Sequence, residues 1–167
     1  LLLIRRLAVP PIVESAIHAP VRPLWQIIRQ PIFLMAWTSA AVGYGAMTMV
    51  MTATPLAMTL CGPTFGASAT VIQWHVLGMF VSSFFTGHLI RRFGVLTIIA
   101  AGAVLLAVHI AIVLTGDAFL NYLSGLILLG VAWNFLFIGG TSLLIRAYRP
   151  VEAAKVQAIH DFLIFAV

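Results

Sequence analysis

The chain has 167 residues, of which 62% are hydrophobic and only 8% are charged. About a quarter of the residues of a soluble domain are charged, so this composition excludes an ordinary soluble protein and indicates an integral membrane protein. The net charge of +5 does not indicate nucleic-acid binding, because the nine basic residues fall in separated short segments instead of one continuous patch.

The apolar runs predict four membrane-spanning helices, at about 32–55, 68–90, 94–115 and 119–145. Each run exceeds the roughly 18 residues that mark a membrane helix, and none shows the alternation of a barrel strand. Pro55 is expected to kink or end the first span. The predicted fold class is therefore all-α, a polytopic transmembrane helix bundle.

The segment 1–30 is expected to precede this bundle. Residues 1–4 are interpreted as the end of a preceding helix, and the prolines that follow predict a cytoplasmic linker. The amphipathic stretch at 24–30 predicts a short helix in the membrane interface, with Trp25 at headgroup depth.

The bundle itself is expected to occupy residues 31–167. A polar loop at 146–155 follows span four and leads into a fifth helix whose last apolar run is too short to cross about 30 Å of hydrocarbon. The chain also begins without an initiator Met. We therefore expect a fragment of a longer protein, with four complete spans and the start of a fifth.

The basic residues predict the orientation in the membrane. Every Lys and Arg falls in the loops 5–30, 91–93 and 146–155, whereas the opposite loops hold only Asp117. By the positive-inside rule the basic loops are predicted to be cytoplasmic. The expected location is a bacterial inner (plasma) membrane.

A narrow polar stripe runs down span two, where His75, Gly78, Ser82 and Thr86 follow one another at helical spacings. A histidine in the hydrocarbon is costly unless it faces protein or water. For His75 two alternatives remain open: an interhelical hydrogen bond, or a pathway residue that binds substrate or takes up a proton.

Other polar side chains within spans are candidates for substrate contact or for helix packing. Asn134, beside Trp133, lies at the middle of span four and needs partners for its amide. Tyr44 and Thr48 form a comparable pair on span one. His109, near the far end of span three, is expected at the membrane interface.

Asp161 opens the truncated fifth helix beside His160. With the neighbouring His160 it is a candidate for proton relay, and through an ion pair with Arg146 or Arg149 it is a candidate for gating. The alternative is a carboxylate that simply stabilises the start of its helix.

Motifs of soluble enzymes do not occur in the sequence. There is no phosphate-binding glycine loop with its Lys, no H-E-x-x-H, and no pair of carboxylates within a span. Cys61 has no His or Cys neighbour at metal-ligand spacing. The sequence thus predicts no enzyme, no cofactor and no metal site.

The octapeptide G-H-L-I-R-R-F-G at 87–94 resembles a loop motif of the major facilitator superfamily, G-x-L-x-D-R-x-G, in the weaker copy between the eighth and ninth helices. Arg91 stands where the stronger copy has Asp. The resemblance implies that Gly87 and Gly94 allow a tight turn between helices, and that Arg91 and Arg92 belong to a cytoplasmic gate.

The resemblance also implies that the chain is an incomplete C-terminal bundle of such a transporter, with helices seven to ten and the start of helix eleven. Helices seven and ten of the family line the central cavity, and helices eight and eleven flank it. The implied pathway residues are Tyr44, Thr48, Trp133 and Asn134, with His75 and Asp161 as secondary candidates.

The function expected from these features is secondary active or facilitative transport of a small organic solute, drug-like, aromatic or a metabolite, by alternating access. The expected partners are the lipid bilayer, the solute, protons in a coupled cycle, and the N-terminal half of the same protein, with no nucleic acid. The alternative is a polytopic scaffold or assembly protein that transports nothing, in which the small-residue stripes serve only packing.

Overall fold

A computed structural model describes residues 21–61 and 65–166, and it is helical almost throughout. The helices are α1 Leu24–Ile28, α2 Pro31–Cys61, α3 Phe65–Phe93, α4 Val95–Leu114, α5 Phe119–Leu144, a short 3-10 helix at Pro150–Glu152, and α6 Ala153–Phe165. Helices α2 to α5 are long and apolar enough to cross a membrane. The all-α class of an incomplete transmembrane bundle is confirmed.

Some predicted features lie outside the described residues: the end of a preceding helix at 1–4, the linker as far as residue 20, and the turn at 62–64. Of the segment before the bundle, the structure describes α1, which is shorter than the predicted interfacial helix. Ile27 of α1 is buried, whereas Trp25 is exposed. The guanidinium of Arg29 lies over the Trp25 ring, with Cζ of Arg29 3.7 Å from the ring centroid.

The first span continues past Pro55 to Cys61, so of the two alternatives for this proline the end of the helix is wrong, and a kink stays a prediction. Proline removes a single backbone hydrogen bond, and helices in a membrane tolerate this where neighbouring groups compensate. Here the turns on either side are held by packing, because Thr54 and Met58 are both buried against the bundle.

Helix α5 forms the centre of the bundle. Half of its most apolar 18-residue window is buried, against 22 to 33% for the other spans. It approaches each neighbour at a glycine, where an added Cβ would be too close to the facing helix. On Gly130 this Cβ would lie 2.5 Å from the carbonyl oxygen of His75 in α3. On Gly139 it would lie 2.7 Å from the side chain of Ile99 in α4, and on Gly140 it would lie 2.7 Å from the carbonyl oxygen of Ala36 in α2. Small residues allow this close approach of membrane helices.

The surface that faces away from α5 is apolar, as a lipid-facing surface must be. Phe80, Phe84, Val104 and Leu114 are all more than 60% exposed. Together with the four apolar spans, these side chains identify an integral membrane protein.

Candidate functional site

Asn134 is fully buried, and its amide is engaged by α3. Its Nδ2 donates to the carbonyl oxygen of Met79 at 3.0 Å and to the hydroxyl of Ser83, while its Oδ1 accepts a hydrogen bond from the hydroxyl of Thr86. Both amide N–H groups are therefore used within the bundle. A contact from Asn134 to substrate stays a prediction, and it would need one of these bonds to open.

His75 also bonds from α3 to α5. Its Nδ1 lies 2.8 Å from the carbonyl oxygen of Leu126, so Nδ1 carries the proton and donates it. Its Nε2 is enclosed without a hydrogen-bond partner among the described residues. Of the two open alternatives, the interhelical hydrogen bond is present in the structure, and a pathway role for His75 stays a prediction.

His109 makes the same bond from α4, since its Nδ1 lies 2.8 Å from the carbonyl oxygen of Gly125. Its side chain is buried, with the residue only 3% exposed. The close packing of α4 on α5 encloses this imidazole, since a Cβ on Gly125 would lie 3.3 Å from Nδ1 of His109. Its expected depth at the membrane interface stays a prediction.

Aromatic rings from α2, α5 and α6 lie on the helices that the resemblance assigns to the cavity and its flank. Trp133 stacks on Phe137, one turn further along α5, with centroids 4.9 Å apart and planes 11° from parallel. Tyr44 meets Phe165 of α6 edge to face, at 5.1 Å between centroids. A Cβ on Gly43, the residue before Tyr44, would lie 3.7 Å from the carbonyl oxygen of Trp133, so Tyr44 and Trp133 stand at similar depth on adjacent helices.

Thr48 is exposed, and its hydroxyl donates to the carbonyl oxygen of Tyr44 in its own helix at 2.9 Å. The ring contact of Tyr44 is with Phe165 and that of Trp133 is with Phe137, so a common pathway site of Tyr44, Thr48 and Trp133 stays a prediction. Asn134 follows Trp133 in α5, but the hydrogen bonds of its side chain all lead to α3.

The loop motif forms the turn between α3 and α4. Gly94 has a φ of +88°, which favours glycine, and its N–H donates to the carbonyl oxygen of Ile90 at 2.9 Å. Gly87 has open space where a Cβ would lie. Arg91 and Arg92 are exposed, and neither forms an ion pair with a carboxylate among the described residues.

A cluster that sequence reasoning missed joins the linker to the loop before α6, and we call it the Arg22–Glu152 clasp. Nη2 and Nε of Arg22 donate to the two carboxylate oxygens of Glu152 at 2.7 and 3.0 Å. The backbone N–H groups of Arg22 and Arg149 donate to the same carboxylate, each at 3.0 Å. The hydrogen bonds from Arg22 and Arg149 hold the pKa of Glu152 well below its usual value, at about 2. A lone Glu in a basic loop was the signal available in the sequence.

Asp161 does not form the ion pair with Arg146 or Arg149 that the gating interpretation expected. It also lies well inside α6, which begins at Ala153, so the expectation that Asp161 opens this helix and stabilises its start is wrong. Its Oδ1 lies 3.2 Å from Nδ1 of the preceding His160, and the carboxylate side chain is 60% exposed. The imidazole of His160 is buried against the edge of Phe33. Asp161 therefore remains available to groups beyond the described bundle.

Within the described residues no group of three or more His, Cys, Asp or Glu could hold a metal ion.

The riboflavin transporter RfnT of Brucella anthropi is 44% identical to this chain over 151 residues, which cover 90% of this chain and 38% of the relative. The MFS-type transporters YddS and YdeG of Bacillus subtilis are 38% and 36% identical over 120 residues. The chain belongs to the major facilitator superfamily.

This result confirms the resemblance seen at residues 87–94, and it confirms the prediction that the chain is not an enzyme, because major facilitator proteins are transporters. The Bacillus alignments cover 71% of this chain and 28% of each relative, so the chain spans well under half the length of the major facilitator proteins it matches. No protein-family model and no solved structure matches the chain.

Proposed function

We propose that this chain is the C-terminal bundle of an alternating-access transporter that carries a planar heterocycle of the riboflavin type. The N-terminal half of the same protein would supply the other half of the central cavity. The observation that carries the proposal is the stacked pair of Trp133 and Phe137 on α5, with Tyr44 at similar depth on the adjacent α2.

Flat aromatic rings suit a flat ligand, because offset stacking adds about 0.5–1.5 kcal/mol beyond the area that is buried. Trp133, Phe137 and Tyr44 are each half-buried within this bundle, so part of each ring is left for another surface to cover. The riboflavin transporter of Brucella anthropi shares 44% identity with this chain, which supports a heterocycle over an aliphatic or strongly charged solute.

In this proposal His75 and Asn134 position helices and do not contact the solute, since their hydrogen bonds tie α3 to α5. The basic loops, which include Arg91 and Arg92, face the cytoplasm of a bacterial inner membrane. The turn at Gly94 and the Arg22–Glu152 clasp lie on that same side, where the two halves of an alternating-access transporter must close.

The test uses the full-length protein, reconstituted in liposomes and preloaded with unlabelled riboflavin. We expect labelled riboflavin to accumulate by exchange in these vesicles and not in protein-free vesicles. Adenosine, a heterocycle with a smaller ring system, serves as the competitor that shows selectivity. The alternative of a non-transporting scaffold predicts no riboflavin exchange, and that result from folded protein would reject the proposed function.

A further inference from the structure

Two histidines reach consecutive carbonyl groups of α5 from different helices. His75 of α3 donates to Leu126, and His109 of α4 donates to Gly125, both at 2.8 Å. Each imidazole therefore carries its proton on Nδ1 and leaves an unprotonated Nε2. The two differ in what surrounds that second nitrogen.

Nε2 of His75 is enclosed by the bundle. The imidazole of His109 instead lines a cavity of about 180 Å³ between α2, α4 and α5, which we call the His109 cavity. No described residue forms a hydrogen bond with Nε2 of His109. The position where a proton would bind is therefore open in His109 and closed in His75.

The His109 cavity is large enough for water, and three of its lining residues carry a polar side-chain group. A cavity needs on the order of 10–15 Å³ and two to four polar partners to hold one water molecule. Thr54 of α2 and Tyr122 of α5 add two hydroxyl groups to the lining, and the remaining lining residues are apolar. The hydroxyl of Thr54 forms no hydrogen bond with another described residue, so it is free to bind water beside His109.

Tyr122 connects this cavity to the loop between α4 and α5. Its hydroxyl lies 3.5 Å from Oδ1 of Asp117, a long contact, and Asp117 is exposed. The carboxylate is also the acidic group that the sequence places opposite the basic loops. Tyr122 thus contacts the exposed Asp117 and also lines the cavity that His109 lines.

We propose that His109 is a proton-binding site filled from the Asp117 side, and that its protonation couples proton movement to transport. The proton passes from water through the carboxylate of Asp117, the hydroxyl of Tyr122 and cavity water to Nε2 of His109. A new N–H bond forms there and gives an imidazolium, while Nδ1–H stays bonded to Gly125. Release reverses these steps, and no other bond changes.

The groups around His109 leave it as the titrating residue of this cavity. Helix α2 contributes only the neutral Thr54 among polar residues, and α5 contributes Tyr122. His75 of α3 is the nearest other imidazole, and Asp117 is the acidic group on the entry side. Coupling follows because α2 forms one wall of the cavity and also carries Tyr44, so a charge in the cavity alters the packing of α2 against α5. This coupling step rests on the proposed function.

The first measurement is independent of transport. We expect NMR of the full-length protein in nanodiscs, with ¹⁵N-labelled histidine, to show reversible protonation of His109 between about pH 8 and pH 5. His109→Gln and the matched His75→Gln variant assign the two signals. Thr54→Val, which removes a hydroxyl beside the imidazolium, should shift the midpoint for His109 to lower pH. A His109 signal that stays neutral throughout this range overturns the proposal.

The second measurement is riboflavin exchange in proteoliposomes with and without a pH gradient that is acidic on the Asp117 side. We expect the gradient to accelerate exchange in the wild type and in His75→Gln, and to have no effect in His109→Gln. Acceleration that persists in His109→Gln overturns the coupling. If His109→Gln lowers the folded yield, Tyr122→Phe provides the same comparison, with a smaller acceleration expected. Wild-type protein that moves no riboflavin rejects the proposed function, and the NMR result still decides whether His109 binds a proton.

Discussion

Four buried polar side chains of this bundle bond to the backbone of a neighbouring helix. Ser39 donates to the carbonyl oxygen of Leu136 at 2.7 Å, and His75, His109 and Asn134 make comparable contacts between α5 and its neighbours. Water does not compete for these groups inside a membrane, so each bond fixes the rotation of one helix on another. The aromatic residues differ, because their rings remain partly uncovered.

Replacing Trp133 tests the substrate contact. Trp133→Ala in the full-length protein should weaken riboflavin binding by roughly three- to tenfold, which corresponds to the loss of one stacked aromatic contact. Trp133→Phe should retain most of the affinity. Quenching of riboflavin fluorescence measures the dissociation constant, and Phe84→Ala on the lipid-facing surface is the control. Equal affinity in the wild type and Trp133→Ala removes Trp133 from the site.

Glu152 gives a prediction about pH. Its carboxyl pKa is lowered from 4.5 to about 2 in the folded protein, so the clasp contributes stability above pH 4.5 and loses it as the pH falls through 2. Glu152→Gln should speed hydrogen exchange of the Arg22 and Arg149 amides at neutral pH, because both donate to this carboxylate. Acidification from pH 7 to pH 5 should leave their protection unchanged in the wild type, after correction for intrinsic exchange rates.

Asp161→Asn is the matched control for the clasp, since it also neutralises a carboxylate near the basic loops but one that is exposed. The protection of the two amides should not change in this variant. If Glu152→Gln leaves the exchange of Arg22 unaltered, the clasp does not hold the linker in solution.

Among the helices, α5 determines how the others are arranged. It contacts α2, α3 and α4 along most of its length, and glycines lie where the backbones come closest. Glycines stand on both sides of one of these contacts, since a Cβ on Gly130 of α5 would lie 3.3 Å from the carbonyl carbon of Gly78 in α3. The polar stripe of α3 is thus mainly a packing surface against α5.

Gly130→Ala tests this close approach. The added Cβ would lie 2.5 Å from the carbonyl oxygen of His75, a backbone atom that moves only if α3 and α5 separate. Overpacking of this kind typically costs about 1–3 kcal/mol, so the melting temperature of the purified protein should fall. Gly87→Ala is the matched control on α3, because no atom lies within 4 Å of its added Cβ. Equal melting temperatures for the two variants would contradict the packing seen here.

In the whole molecule, the two ends of the bundle differ in charge and in packing. One apolar cluster packs α1 against the ends of α2, α5 and α6 beside the basic loops, and it includes Ile27, Phe33 and Leu143. The other lies at the opposite end around Met58 and Leu126, beside the His109 cavity. The clasp and the turn at Gly94 belong to the first end, and the proposed proton entry belongs to the second.

Cysteine labelling tests the proposed orientation of these ends. In a variant with Cys61 replaced by serine, Asp117→Cys should react with a membrane-impermeant maleimide in intact cells. Arg92→Cys should react only after the membrane is permeabilised, because the positive-inside rule places it in the cytoplasm. The reverse pattern would invert the topology, and would also place the proton entry on the cytoplasmic side.

The sequence by itself determined the membrane class, the four spans and the distribution of charge between the loops. These are local properties, because hydropathy is summed along a run and loop charges are counted. The turn at Gly94 was implied by the family resemblance. The family resemblance at residues 87–94 rested on the same local features.

Only the tertiary structure decided which side chains meet. Arg22 and Glu152 are 130 residues apart in sequence, and Asn134 of α5 accepts a hydrogen bond from Thr86 of α3. It also decided that His109, not His75, faces a cavity. The physical reason is that these spans are apolar on nearly every side, so their sequences carry little information about which face turns inward. Rotation and crossing of the helices are set by the packing of glycines and buried hydrogen bonds around α5, and those contacts exist only once the bundle has formed.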